Sequence, residues 1–227
     1  GSMRRTFEIG GKTVCVFHSN RPGSPVIYLN TYSDERQKIY EAVQATGCPP
    51  FTLVTVSNLA WNHDMAPWDS PAAFKKGEPF IGGADNYLQL LVEEIIPRAE
   101  KELAEPPVWR GIAGYSLAGL FALYAIYRTD VFSRVGCMSG SLWFPGFKEY
   151  IFSHEPKRRP DCIYFSLGDK EAKTRNSVLK TVQENTEEIQ AFYQSKGIDT
   201  VFQLNPGNHF VQGIERTIAG IQWLLRR

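Results

Sequence analysis

The chain of 227 residues has few cysteines, few histidines, almost no net charge and no long apolar run. Each shortage excludes something. No stretch reaches the roughly 18 consecutive apolar residues that a bilayer crossing needs, and the N-terminus lacks a charged-then-apolar signal, so no membrane segment is expected. With 25 Lys and Arg against 24 Asp and Glu, the net charge of +1 supplies no field for holding a polyanion, which argues against nucleic acid as a partner. The four cysteines, Cys15, Cys48, Cys137 and Cys162, form no C-x-x-C pair. In a chain this long they read as free thiols, mostly buried, which points to a reducing, cytoplasmic setting and to no structural metal. Polar low-complexity tracts are also missing, and aromatics make up 13% of residues, so disorder is excluded. The opening Gly1-Ser2-Met3 reads as a cloning scar, with which an upstream signal could have been removed; one domain is expected over residues 4–227.

What is present is an alternation of strands and helices. Thr6–Glu8 and Thr13–Phe17, around Gly10-Gly11, predict a hairpin. Pro25–Asn30 is a continuous apolar run that suits a strand buried on both faces, and Phe51–Ser57 reads as a second buried strand. Between them, Ser33-Asp34-Glu35 offers N-cap chemistry for a helix that Gly47 and Pro49-Pro50 stop. Residues 58–84 form a long irregular stretch, a length that is uncommon unless it carries function. Asn86–Leu103 is helical by the spacing of Leu88, Leu91, Val92, Ile95 and Ile96, with a kink or break at Pro97. Further strands are predicted at Val108–Ala113, Val131–Met138, Cys162–Leu167 and Thr200–Leu204. Further helices are predicted at Leu117–Tyr127, Val178–Lys196 and Phe210–Leu225. This order implies an α/β protein with a largely parallel sheet covered on both faces.

The segment Gly114-Tyr115-Ser116-Leu117-Ala118-Gly119 lies between a predicted strand and an apolar helix. That is the setting of a nucleophile elbow, in which a strained strand-to-helix turn lifts a serine hydroxyl above the sheet. Small residues are required two positions before and after the serine, and Gly114 and Ala118 meet this. A plainer reading is a glycine-rich turn whose serine only caps a helix. A nucleophilic serine needs a base, and the base needs a carboxylate. Of the four histidines, His209 follows the last strand and so falls at the same sheet edge as Ser116. His63, in the long loop, is the rival; His18 and His154 read as surface residues. After the strand at Cys162–Leu167, Asp169 and Glu171 both qualify as the acid. The N–H groups of Leu117 and of Tyr32, in the loop after the strand ending at Asn30, are the candidate oxyanion donors. Gly10-Gly11-Lys12-Thr13 looks like the tail of a phosphate-binding loop, but position 6 is threonine and no buried strand precedes it, so no nucleotide is implied.

Taken together, Tyr28-Leu29-Asn30-Thr31-Tyr32, the Gly114–Gly119 segment, Gly168-x-x-Glu171 and Gly207-Asn208-His209-Phe210 resemble the putative-esterase family of α/β-hydrolases. That group includes esterase D-like, feruloyl, acetyl-xylan and siderophore trilactone esterases, and the resemblance runs from Pro25 to the C-terminus. It implies an α/β-hydrolase fold with no separate lid domain and no cofactor, acting on a small-molecule ester. In the family the acid commonly falls three residues after a strand-ending glycine, which selects Glu171 over Asp169. The segment Trp61–Trp68 resembles a loop bordering the site, and Ser139–Trp143 one that brings an aromatic residue to it. Trp61, Trp68 and Trp143 are therefore the candidate substrate contacts. The chain departs from the pattern in two places: Leu29–Tyr32 lacks the glycines of some oxyanion segments, and Trp61-Asn62 lacks an arginine frequent in siderophore esterases. Feruloyl, acetyl, trilactone and thioester substrates all stay open, as does a homo-oligomer. The alternative of another class is a catalytically idle binding protein on the same scaffold.

Overall fold

The computed structural model describes residues 4–227; the segment read as a cloning scar lies outside the described residues. An antiparallel hairpin, β1 (Arg4–Ile9) and β2 (Lys12–Phe17), leads into β3 (Val26–Asn30), helix α1 (Arg36–Gln44) and β4 (Thr52–Ser57). The irregular stretch that follows holds only a short helix, α2 (Trp61–Asp64), and one isolated bridge between Ser70 and Phe80. A helical rod then runs through α3 (Ala84–Leu90), a π-turn over Leu91–Ile95 and α4 (Ile96–Glu100). The remaining elements are β5 (Arg110–Tyr115), α5 (Leu117–Arg128), β6 (Arg134–Met138), α6 (Phe147–Ser153), β7 (Cys162–Gly168), α7 (Val182–Ser195), β8 (Asp199–Asn205) and α8 (Gly213–Leu225).

The eight strands form one sheet in the order β1-β2-β4-β3-β5-β6-β7-β8, antiparallel at the hairpin and at β2–β4 and parallel elsewhere. The largely parallel sheet is the one the alternating pattern predicts, and the α/β-hydrolase arrangement is the one the family resemblance implies. Both faces are covered. Along β3, Val26 and Tyr28 pack into one core with α3, α5 and α7, while Ile27 and Leu29 pack into the other with α1 and α8. Such two-sided burial leaves every residue of β3 and β4 buried, which is why β3 reads as an apolar run. The chain winds from β3 outward to β4 and then returns to place β5 on the other side of β3. At that switch the loops after β3 and β5 diverge and leave a crevice beyond the carboxyl ends of the strands.

Four local expectations need correction. Helix α1 starts after Glu35 with no side-chain cap, so the Ser33-Asp34 hydroxyl and carboxylate are not used as one. The irregularity tied to Pro97 lies in the turn before it. Proline has no N–H and its ring crowds the carbonyl four residues back, and the wider π-turn over Leu91–Ile95 absorbs this without ending the rod. Helix α6 was not anticipated; it is one of the short elements of the fold and shows only Phe147 and Ile151 as its buried pair. The last helix starts at Gly213, because Phe210–Gln212 belong to the turn that carries His209.

Candidate active site

Strand β5 ends at Tyr115 and helix α5 begins at Leu117, which leaves Ser116 alone to turn the chain. It does so at φ 64° and ψ −127°, a left-handed conformation unfavourable for any residue with a side chain. Four hydrogen bonds fix it: the Ser116 N–H donates to the Met138 carbonyl (3.0 Å), and its carbonyl accepts from Gly119 (3.0 Å), Leu120 (3.3 Å) and Ser141 (3.1 Å). The turn is so tight that a Cβ on Gly114 would lie 2.4 Å from the carbonyl carbon and oxygen of Ala118. The spacing of small residues seen in the sequence is thus a steric requirement.

Three side chains distant in the chain meet at this turn. The Ser116 hydroxyl lies 2.8 Å from His209 Nε2, and His209 Nδ1 lies 2.6 Å from Glu171 Oε1. Glu171 is almost fully buried, and its other oxygen, Oε2, accepts from the Gly168 N–H at 2.7 Å. Asp169 goes elsewhere. Its Oδ1 accepts from the Gly207 N–H at 2.9 Å, and its own N–H donates to the Asn205 carbonyl at 2.7 Å. It braces the histidine loop from behind and makes no bond to the ring. His63 pairs with Asp64 at 2.8 Å, packs over Gly83 and lines neither cavity described below. His154 is exposed, whereas His18, read as a surface residue, is half-buried with Nε2 unpartnered.

Two cavities flank the Ser116–His209 pair. One, of about 480 Å³, is lined by Asn30, Tyr32, Trp61 and Ile214 among others; the second, of about 360 Å³, by Phe74, Ser141, Trp143 and Phe210. Of the three tryptophans singled out, Trp61 and Trp143 reach these cavities. Trp68 does not: it sits among Tyr124, Phe144, Phe147 and Tyr150 and donates its Nε1–H to the Pro145 carbonyl at 2.9 Å. Leu117 opens helix α5, so its N–H has no acceptor within the helix and faces the region where Ser116 turns. Tyr32 stands just beyond β3, 79% exposed, with its ring edge-on to Trp61.

Sequence reasoning missed three neighbours of this constellation. Tyr115 stacks on the His209 ring at 5.2 Å between centroids and donates its hydroxyl to the His209 carbonyl. Burial pushes the Tyr115 phenol above its usual range, so it keeps its proton at neutral pH. Ser141 places its hydroxyl 3.5 Å from that of Ser116. Arg216, in α8, is 2% exposed and bonded to Glu171 Oε2 at 3.3 Å. The usable signal was its spacing: Arg216, Gly220 and Leu224 share one helical face, and that face is buried.

The family model described as "Putative esterase" matches residues 22–220. The chain belongs to the putative-esterase family. It is accordingly a carboxylic ester hydrolase, as the motifs implied. Among relatives of this family member, the uncharacterized protein YbbA of Bacillus subtilis strain 168 is 22% identical over 220 residues, covering 92% of this chain and 88% of YbbA. Among solved structures, an IroE-like serine hydrolase from Shewanella oneidensis superimposes with a TM-score of 0.82 at 18% identity, covering all of this chain and 80% of that one. The siderophore hydrolase EstB from Aspergillus nidulans gives a TM-score of 0.78 at 17% identity, covering 99% and 95%. These likenesses establish the fold. Among the described residues, no helix is long and apolar enough to cross a membrane, and no cluster of three or more His, Cys, Asp or Glu side chains forms a metal-binding group.

Proposed function

We propose that this esterase works by nucleophilic catalysis, with Ser116 as nucleophile, His209 as general base and Glu171 as the orienting acid. The observation that carries the reading is the unbroken chain from Ser116 Oγ to His209 Nε2 and from His209 Nδ1 to Glu171 Oε1, at 2.8 and 2.6 Å. Glu171 fixes the tautomer with the proton on Nδ1, which leaves Nε2 free to accept from the serine hydroxyl. Ser116 Oγ attacks the acyl carbon as His209 takes its proton. The tetrahedral oxyanion is held by the N–H of Leu117 and that of Tyr32, each worth about 3–4 kcal/mol. His209 returns the proton to the departing alcohol, leaving an acyl-serine. A water, deprotonated by the same imidazole, then releases the acid and restores the serine.

The two cavities on either side of the Ser116–His209 pair suit an ester with a substantial group on both sides of the scissile bond, with Trp61 and Trp143 as apolar walls. Open access from solvent favours small or medium acyl groups. Because one structural neighbour is a siderophore hydrolase, a siderophore trilactone enters the substrate panel beside feruloyl, acetyl and thioester candidates. The reading covers one domain over residues 4–227, and the four free thiols favour a reducing, cytoplasmic compartment. The test is steady-state hydrolysis of p-nitrophenyl acetate by three proteins. Glu171→Gln should lower kcat by about 10³–10⁴-fold. Asp169→Asn should stay within about tenfold of wild type, since the residue only braces a loop. The opposite ranking would overturn the assignment of the acid.

A further inference from the structure

We propose that Arg216 is a positioning residue for ester hydrolysis: its guanidinium locks the Glu171 carboxylate in place and offsets the negative charge that this carboxylate presents to His209. The inference rests on the Ser116–His209–Glu171 reading above.

A guanidinium cannot shed its charge, so one buried this deeply must be compensated on the spot. Arg216 Nη1 donates to Glu171 Oε2 (3.3 Å), Ser139 Oγ (3.2 Å) and Tyr115 Oη (3.3 Å), and Nη2 donates to the Pro206 carbonyl (3.0 Å). Glu171 is the one charged partner among them. Three of the four belong to segments that carry the proposed triad, and the fourth, Ser139, adjoins Ser141, whose hydroxyl neighbours that of Ser116. Tyr115 precedes Ser116, Ser139 lies two residues before Ser141, and Pro206 lies three before His209. One planar cation therefore ties together the ends of β5, β6, β7 and β8. The fit is close enough that a Cβ on Gly168 would come within 2.9 Å of Nη2 and 3.0 Å of Nη1. An ammonium could supply the charge but not this fork of donors.

The consequence for the imidazole follows from which oxygen is occupied. Glu171 Oε2 is taken by the Gly168 N–H and by Arg216, which leaves Oε1 to His209. The groups in contact with the ring are the Glu171 anion, the neutral Tyr115 phenol stacked on it, the Ser116 hydroxyl and the Phe210 ring, with the Arg216 cation behind the carboxylate; Lys170 and Lys173 line the cavity on one side of His209, and Glu35 and Glu215 the cavity on the other. The Arg216 cation meets the carboxylate at the oxygen that the ring does not use, so the Glu171 anion already has a positive partner. Without the cation, that anion would stabilise imidazolium, and His209 would lose its proton only at higher pH. The acid limb of kcat/KM reports this directly, because it tracks the base of the free enzyme.

The experiment measures the pH profile of kcat/KM for p-nitrophenyl acetate in wild type, Arg216→Gln, Arg216→Lys and Glu171→Gln, with near-UV circular dichroism to establish folding. Arg216→Gln should lose about 10–100-fold in kcat with KM changed less than about threefold, and its acid limb should move up by roughly half a pH unit or more. Arg216→Lys should keep the limb at the wild-type position and recover part of kcat. A folded Arg216→Gln protein with an unmoved limb overturns the proposal, as does an Arg216→Lys limb displaced like that of glutamine. If the glutamine variant does not fold, the position of the lysine limb decides by itself. Wild-type kcat in Glu171→Gln would instead sink the triad and leave Arg216 with nothing to position.

Discussion

Ser116 occupies a backbone conformation that costs about 1–3 kcal/mol for a residue bearing a Cβ, and the four hydrogen bonds around it maintain that strain. Strain held at the proposed nucleophile can be released by removing the side chain. Ser116→Gly is expected to abolish turnover and yet raise Tm by about 2–4 °C, the equivalent of roughly 1 kcal/mol in a chain of this size. Ser116→Ala should lose activity without that gain. Thermal scans of the two variants check the difference, and an equal Tm in both would remove the case for stored strain. Gly114→Ala should do the reverse, forcing a methyl into the Ala118 backbone at a cost of about 1–3 kcal/mol and disordering the elbow. At this scale the serine and histidine were legible because turn sterics and strand ends are local properties. The acid was not legible from the residues themselves. Asp169 and Glu171 follow the same strand two residues apart; the family spacing counted from Gly168 favoured Glu171, and in the structure the long-range bonds to Gly207 and to the His209 ring separate them.

The elements that present these residues were legible where packing imposes a period and illegible where it does not. Two-sided burial leaves every residue of β3, β4 and β7 buried and makes them rich in apolar residues, and α5 is buried through Tyr127, so these strands and this helix stand out from composition. Helix α6 and the true start of α8 depend on tertiary contacts and show no such pattern. The irregular stretch after β4 is the least regular part of the fold, and a buried carboxylate anchors its beginning. Asp64 accepts from the Ala60 N–H at 2.8 Å, binds His63 and forms an ion pair with Lys12 of the hairpin. Removing one member of a buried pair leaves the other uncompensated. Asp64→Ala is therefore expected to cost about 3–5 kcal/mol by urea denaturation and to raise KM more than it lowers kcat, because Trp61 sits at the head of the same short helix. A loss below about 1 kcal/mol would show that the stretch is held by other contacts.

The molecule as a whole buries many weak acids in their neutral form, and this sets its response to alkali. Burial pushes the Cys162 thiol from 9.0 up to about 12 and the Tyr127 phenol from 10.0 up to about 12. Tyr28, Tyr87 and Tyr193 are raised well above 10.0 by the same cause. A proton held more tightly in the folded state stabilises it fully below the unfolded pKa and loses that effect as pH climbs through the folded one. Urea midpoints should therefore be level from about pH 7 to 8.5 and fall steadily between about pH 9 and 12. A midpoint still level at about pH 11 would contradict this. At neutral pH the near-zero net charge adds little to the balance. What the whole fold contributes to chemistry is convergence: residues 116, 171 and 209, each after a different strand, meet at one edge of one sheet. The most direct measurement is covalent labelling by a fluorophosphonate, whose phosphorus is attacked by an activated serine with loss of fluoride, followed by peptide mass analysis. One adduct per chain is expected, on Ser116, absent from Ser116→Ala and formed far more slowly by His209→Ala. A folded protein that stays unlabelled, or one labelled at another residue, would contradict the account.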